Sequence, residues 1–185
     1  MKRVGVLALQ GDFEAHEKLL RGAGADPIQV RTNEELDSID ALVIPGGEST
    51  TIRKLAVEYG LVEPLRKRAE QEMPILGTCA GMIVCARRVA DGDEPVIPAV
   101  DITVRRNAYG RQVDSFETDL DVAGVGEMHA VFIRAPWIES VGDGVEVLAI
   151  HDERPVIVRQ GAVTLAAFHP ELADDDRLHR IALAL

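Results

Sequence analysis

Cys79 lies in Gly77-Thr78-Cys79-Ala80-Gly81, between the apolar run Pro74-Ile75-Leu76 and a stretch with helical spacing that begins at Ala80. A Gly-x-Cys-x-Gly turn between strand and helix is a nucleophile elbow with sulfur in place of oxygen. The glycines leave room for so sharp a turn. The turn lifts the thiol clear of the sheet and aims the first free N–H groups of the helix at the space above the sulfur. A thiolate, and later an oxyanion, would be stabilised there.

A nucleophilic cysteine needs a base, and five histidines are available. His16 and His179 fall on predicted helices, and His129 and His151 near strand ends, where ordinary surface or boundary roles are expected. His169 differs, because it follows the buried-looking strand Thr164-Leu165-Ala166-Ala167-Phe168 and opens His169-Pro170-Glu171. The proline stiffens the turn, so Glu171 stays close enough to accept from the imidazole and set its tautomer. Alone, His-Pro-Glu reads as a surface turn. Paired with the elbow it makes a Cys-His-Glu order suited to acyl transfer. Cys79 would attack a carbonyl, and His169 would protonate the leaving group and then activate water. The Ala80 N–H and a second donor from Gly46-Gly47 would hold the oxyanion. No Gly-Lys-Ser/Thr follows those glycines, so they are no phosphate loop. No metal is expected: Cys79 and Cys85 fit no zinc spacing, and Asp174-Asp175-Asp176 reads as a helix cap.

These groups must be positioned by a scaffold, and short apolar runs alternate with helical periodicity through the first half. Val4–Ala8 is a strand, and Phe13, His16, Leu20 and Ala23 mark one face of a helix ending at Gly24. Ile28–Val30 and Ala41–Ile44 are further strands. Ser49 or Thr50 is placed to cap a helix carrying Ile52, Leu55 and Tyr59. After the elbow, Met82, Ile83, Ala86 and Val89 space as one helical face. Such alternation predicts a parallel sheet covered by helices. The second half is strand-rich, over 102–105, 113–116, 130–134, 145–151, 155–160 and 164–168, which predicts antiparallel additions. A last helix carries Leu178, Ile181, Ala182 and Leu185.

With 185 residues, 46% of them hydrophobic, one domain over 1–185 is expected. A net charge of -11 disfavours nucleic acid and anionic membranes as partners. The first apolar run is short and lacks a cleavage site, no stretch is long enough to span a bilayer, and two cysteines make no disulfide framework. A cytoplasmic protein is expected.

Gly77-Thr78-Cys79-Ala80-Gly81-Met82 together with His169-Pro170-Glu171 resembles the class I glutamine amidotransferases, triad glutaminases with a flavodoxin-like three-layer fold. Further motifs resemble the glutaminase subunits of pyridoxal 5'-phosphate synthases: Leu7-Ala8-Leu9-Gln10-Gly11, Pro45-Gly46-Gly47-Glu48-Ser49-Thr50-Thr51, Arg106-Asn107-Ala108-Tyr109-Gly110-Arg111-Gln112, Phe132-Ile133-Arg134-Ala135-Pro136 and Phe168-His169-Pro170-Glu171-Leu172. The resemblance implies hydrolysis of L-glutamine to glutamate and passage of ammonia to a synthase partner in a large hetero-oligomer. That partner builds pyridoxal phosphate from a pentose phosphate and a triose phosphate, so the vitamer is a product and not a cofactor of this chain. It implies Cys79, His169 and Glu171 as the triad and Gly47, Glu48, Ser49, Arg106, Ile133 and Arg134 as glutamine-binding residues. Gly47 and Ala80 would form the oxyanion hole. It also implies a final helix longer than one that stops at Leu185. The alternatives are a stand-alone cysteine hydrolase of the same fold, γ-glutamyl hydrolase or deglycase-like, and a non-catalytic subunit; the latter would be expected to have lost a triad member.

Overall fold

The computed structural model describes residues 1–92, 94–106 and 115–185. Its first half runs β1 (Arg3–Leu7), α1 (Phe13–Gly22), β2 (Asp26–Val30), α2 (Asn33–Asp37), β3 (Ala41–Ile44), α3 (Ser49–Glu58), α4 (Val62–Glu70), β4 (Ile75–Thr78) and α5 (Ala80–Cys85). The second half adds β5 (Ala86–Val89), β6 (Val100–Arg105), β7 (Ser115–Val122), β8 (Gly126–Ile133), β9 (Trp137–Val141), β10 (Glu146–His151), β11 (Arg154–Gln160) and β12 (Val163–Ala166). A 3-10 turn (Pro170–Leu172) and α6 (Arg177–Leu183) follow.

The main sheet has the order β10-β11-β12-β4-β3-β1-β2. From β2 to β12 every pair is parallel, while β11 and β10 extend the edge antiparallel. The mixed α/β architecture expected from the alternation is thus present. All four residues of β3 and of β4 are buried. Side chains of a strand alternate between faces, so both faces of the sheet centre are covered. Ile44 of β3 and Leu165 of β12 both stand opposite Gly77 of β4, so three adjacent strands end level. The loops after them, carrying Gly46, Cys79 and His169, therefore open on one edge.

Three local expectations are corrected. Ala86 and Val89 do not continue the helix; α5 stops at Cys85, and Ala86–Val89 pairs parallel with β6. Both remain buried, so the apolar spacing reported burial and tertiary pairing chose the strand. The cap of α3 is Glu48, not Ser49 or Thr50, and Tyr59 lies at the C-cap. No Asp176 side chain caps α6; instead Asp175 accepts from the Arg177 N–H at 3.0 Å and grips the Arg177 guanidinium. The second-half strands also divide further than expected. β5-β6-β9 and the hairpin β7-β8 are separate sheets, and only β10, β11 and β12 join the main one. Part of the expected strand 113–116 and the motif residues 107–112 lie outside the described residues. Among the described residues no helix is long and apolar enough to cross a membrane.

The elbow depends on close backbone approach. A Cβ on Gly81 would sit 2.0 Å from the Ile44 carbonyl oxygen, and one on Gly77 would sit 2.8 Å from the Gly81 carbonyl oxygen. Both obstacles are backbone and cannot rotate away. Gly81→Ala is expected to destabilise the protein by about 1–3 kcal/mol or more. Urea unfolding of the variant against the parent checks this.

Candidate active site

Cys79 begins α5 with φ 48° and ψ -105°. This positive φ on a side-chain-bearing residue costs of order 1–3 kcal/mol and persists only where neighbours over-determine it. Here the Cys79 N–H donates to Ala166 O at 2.9 Å across the β12 edge, and Cys79 O accepts from the Met82 N–H at 3.0 Å. The thiol is nearly buried, with Sγ 3.8 Å from Ile133 O. Cys85, wholly buried, has its thiol pushed up to about 12 by loss of water and is inert.

His169 follows β12 by three residues and donates its N–H to Val131 O at 2.9 Å, which ties its loop to the β7-β8 hairpin. Its Nδ1 lies 2.7 Å from Glu171 Oε1, whose side chain is 1% exposed. Burial pushes the imidazole pKa down. Hydrogen bonding to Cys79 and to Glu171 outweighs burial, and the pKa rises to about 10. The Gly46 backbone closes over the pair: a Cβ there would fall 2.5 Å from His169 Cε1 and 3.3 Å from Cys79 Cβ.

A cavity of about 340 Å³ opens above the thiol, lined by Gly47, Glu48, Ser49, Cys79, Ala80, Ile83, Arg106, Ile133, Arg134 and His169. Apart from Glu171, which stands behind His169, every residue that the family resemblance implies for the triad, the glutamine site and the oxyanion hole borders this one space; Gly46 does not line it. Their roles differ in detail. The Glu48 carboxylate is spent on α3, accepting from Thr50 N at 3.1 Å, Thr51 N at 2.8 Å and Thr51 Oγ1 at 2.8 Å. Its own N–H donates to Gln10 Oε1 at 2.6 Å, which anchors the Gly46-Gly47 loop to the loop after β1. Arg106 donates from Nε to Asp91 Oδ2 at 3.2 Å and from Nη1 to Thr50 Oγ1 at 3.1 Å, bracing the cavity wall. Its neighbour Arg105 turns away to Glu139 and Asp91. Arg134 follows β8 at φ 44°, exposed at the rim next to Ile133. Among the described residues no cluster of His, Cys, Asp or Glu could hold a metal ion.

Two histidines expected at the surface or its boundary are in the interior. His16 and His179 are fully buried, with His16 Nδ1 2.9 Å from His179 Nε2. His16 Nε2 lies 3.3 Å from both Thr78 Oγ1 and Glu171 Oε2. The signal was present: His16 shares the helical face of Phe13 and Leu20, which α1 turns inward. His151, half-buried, stacks on Phe116 and Phe132, and His129 lies exposed between Asp119 and Glu117, the boundary and surface places expected of them.

A thiol at a strained strand-to-helix turn, an imidazole against it and a buried carboxylate behind form an arrangement suited to attack on a carbonyl carbon. The comparisons agree: the SNO glutamine amidotransferase family model matches residues 6–183, and the chain belongs to that family and is a glutamine amidotransferase. A protein of Frankia alni named pyridoxal 5'-phosphate synthase subunit PdxT is 56% identical over 183 residues, covering 97% of this chain and 92% of its own. A Pelotomaculum thermopropionicum protein of the same name is also 56% identical, covering 98% and 93%. A crystal structure of a glutamine amidotransferase superposes with TM-score 0.94 at 51% identity over 98% of this chain and 97% of that one. PurLQS of Thermotoga maritima, 18% identical with TM-score 0.76, shares the fold.

Two outcomes follow from these electrostatics. Partial burial raises the Glu48 pKa, but the bonds from Thr51 and Thr50 lower it to about 2. Its folded value is below the unfolded one, so its contribution is present above the ordinary carboxylate range and is lost as pH falls through about 2. Glu48→Ala is expected to cost about 1 kcal/mol at neutral pH, the worth of a solvent-screened cap, read from chemical denaturation. The buried histidines act at higher pH. Burial, then His179 and His169, hold His16 well below its ordinary value. Burial brings His179 to about 4 although Asp176 and Asp175 pull upward. The unfolded chain takes up these protons first, so stability falls as pH drops from about 6.5 toward 4. His169, raised, contributes stability that is complete below about 6.5 and lost as pH rises through about 10, so it leaves the acid window unchanged. Thermal unfolding at about pH 7 and pH 5 is expected to show a Tm lower by roughly 5–10 °C at the acid value.

Proposed function

We propose that this chain hydrolyses L-glutamine to L-glutamate and ammonia and delivers the ammonia to a synthase partner. That partner would make pyridoxal 5'-phosphate from a pentose phosphate and a triose phosphate. The observation that carries the reading is the single small cavity bordered by the Cys79-His169 pair and both arginines, together with relatives named as a pyridoxal 5'-phosphate synthase subunit. About 340 Å³ is at the low end for a small-molecule site and suits an amino acid.

Cys79 attacks the carboxamide carbon of glutamine, and the oxyanion that forms is held by the Ala80 N–H and by the Gly47 backbone. His169 gives its proton to the leaving nitrogen as the C–N bond breaks, leaving a thioester and free ammonia. The neutral ring then takes a proton from water, whose oxygen attacks the thioester; the returning thiolate leaves and glutamate is released. Glu171 keeps the His169 ring in one orientation through its 2.7 Å contact with Nδ1. Arg106 and Arg134 are the cations at the cavity suited to the substrate carboxylate. Glu48, its carboxylate committed to α3, serves by holding the Gly47 and Ser49 backbone in place, and Ile133 supplies apolar wall. The setting is the cytoplasm, within a hetero-oligomer.

Idle hydrolysis wastes glutamine, and the Gly46-Gly47 backbone that must present an oxyanion donor lies on a loop that docking can adjust. The purified chain is therefore expected to release glutamate slowly alone and at least roughly 10-fold faster with the synthase subunit added. Cys79→Ala is expected to abolish turnover in both conditions. Full activity without partner refutes the dependence, and turnover by the alanine variant refutes the nucleophile. A coupled glutamate assay reads both.

A further inference from the structure

Glu171 accepts from His169 through one carboxylate oxygen only. The other oxygen, Oε2, is buried and makes no well-aligned hydrogen bond; its nearest charge partner is His16 Nε2 at 3.3 Å. A buried carboxylate oxygen left without a donor is costly, so what His16 presents to it matters. His16 in turn meets His179 at 2.9 Å through its Nδ1, and His179 Nδ1 is buried with no partner among the described residues. These contacts link α1, α6, the end of β4 and the turn after β12 behind the cysteine.

The proton positions in this chain follow by elimination. Between His16 Nδ1 and His179 Nε2 there is one donor and one acceptor, because two N–H groups or two lone pairs at 2.9 Å repel. If His16 held its proton on Nδ1, a bare Nε2 would face the carboxylate, and His179 would be left with an N–H buried without an acceptor. Both consequences are unfavourable. The reverse assignment puts a proton at each contact: His179 Nε2–H donates to His16 Nδ1, and His16 Nε2–H faces Thr78 Oγ1 and Glu171 Oε2, each at 3.3 Å. Only a bare nitrogen of His179 remains in the apolar interior. Both rings are kept neutral by burial, so each carries the single proton that this assignment needs.

We propose that His16 and His179 form a buried, tautomer-locked relay that holds the second oxygen of Glu171 and thereby orients His169 against Cys79, making both positioning residues for the glutaminase step. The inference deepens the glutaminase reading and rests on it only for the turnover measurement. Thr78 shares the His16 proton. Asp175 and Asp176, beside the start of α6, pull the His179 pKa upward without overcoming burial, so the far end of the relay stays neutral.

The test compares two amide replacements. His16→Gln places an N–H near the former Nε2 and keeps the donor to Glu171. His16→Asn is shorter and keeps only the His179 side. In the complex with the synthase, the asparagine variant is expected to lose roughly 10–100-fold in kcat with KM changed by less than about 3-fold, and the glutamine variant to recover most of it. In the isolated chain, the pH profile of iodoacetamide alkylation at Cys79 is expected to move upward in His16→Asn and to return in His16→Gln. An unmoved profile in folded His16→Asn, or a glutamine variant as impaired as the asparagine one, overturns the proposal.

Nitrogen-15 NMR of the histidine rings in the unmodified protein needs no variant to fold. Neutral Nε2–H tautomers for both His16 and His179 support the relay, and an Nδ1–H tautomer at His16 overturns it. If the wild-type complex hydrolyses no glutamine, the functional reading falls, while the alkylation profile and the tautomers still decide the relay.

Discussion

Cys79 is held at φ 48° because three strands end level and the chain must turn at once from β4 into α5. The strained residue is pinned by the bonds to Ala166 O and Met82 N, and Gly81 lets the new helix lie against the Ile44 carbonyl. Those contacts come from β12, α5 and β3, so the elbow's energy is supplied by the sheet centre and not by the turn itself. The adjoining loops take their places from the same constraint. Gly46 fits over the thiol only because it has no side chain, and His169 reaches the sulfur because β12 is the other neighbour of β4.

The small sheets and the hairpin complete the site from outside the main sheet. β8 lends the Val131 carbonyl to the His169 N–H and the Ile133 carbonyl to the Cys79 thiol, then breaks at Arg134 with a positive φ. One element thus holds the His169 backbone, touches the Cys79 thiol and presents a cation at the rim. The β5-β6 pair brings Arg106 and Asp91 to the opposite wall, where Thr50 of α3 receives the guanidinium.

Charge at this edge is arranged by depth. Glu48 works near the surface as a helix cap, where water screens its cost. Glu171 is buried, and a buried carboxylate requires partners that bear protons. His169 supplies one from the cavity side. His16, backed by His179, stands at the other oxygen from within the core. A protein of net charge -11 thus brings Arg106, Arg134 and the His169 ring to the border of this pocket, beside Glu48.

The sequence by itself determined the elbow, the His-Pro-Glu turn, the alternation of strands and helices in the first half, and the antiparallel extension of the sheet. These signals are local: glycine spacing, proline stiffness and apolar periodicity act within a few residues. It also contained the residues that border the cavity, although nothing in their spacing could show that segments near 47, 79, 106, 133 and 169 meet. Only the tertiary structure decided that Ala86–Val89 leaves the helix to pair with β6, since burial at Ala86 and Val89 suits either conformation. Only it decided that Glu48 spends its carboxylate on α3 and that the second-half strands form separate small sheets. His16 and His179 make the same point. Each looked like a polar residue on its own helix, and their meeting in the core depends on long-range packing of α1, α6 and the turn after β12, which no local pattern encodes.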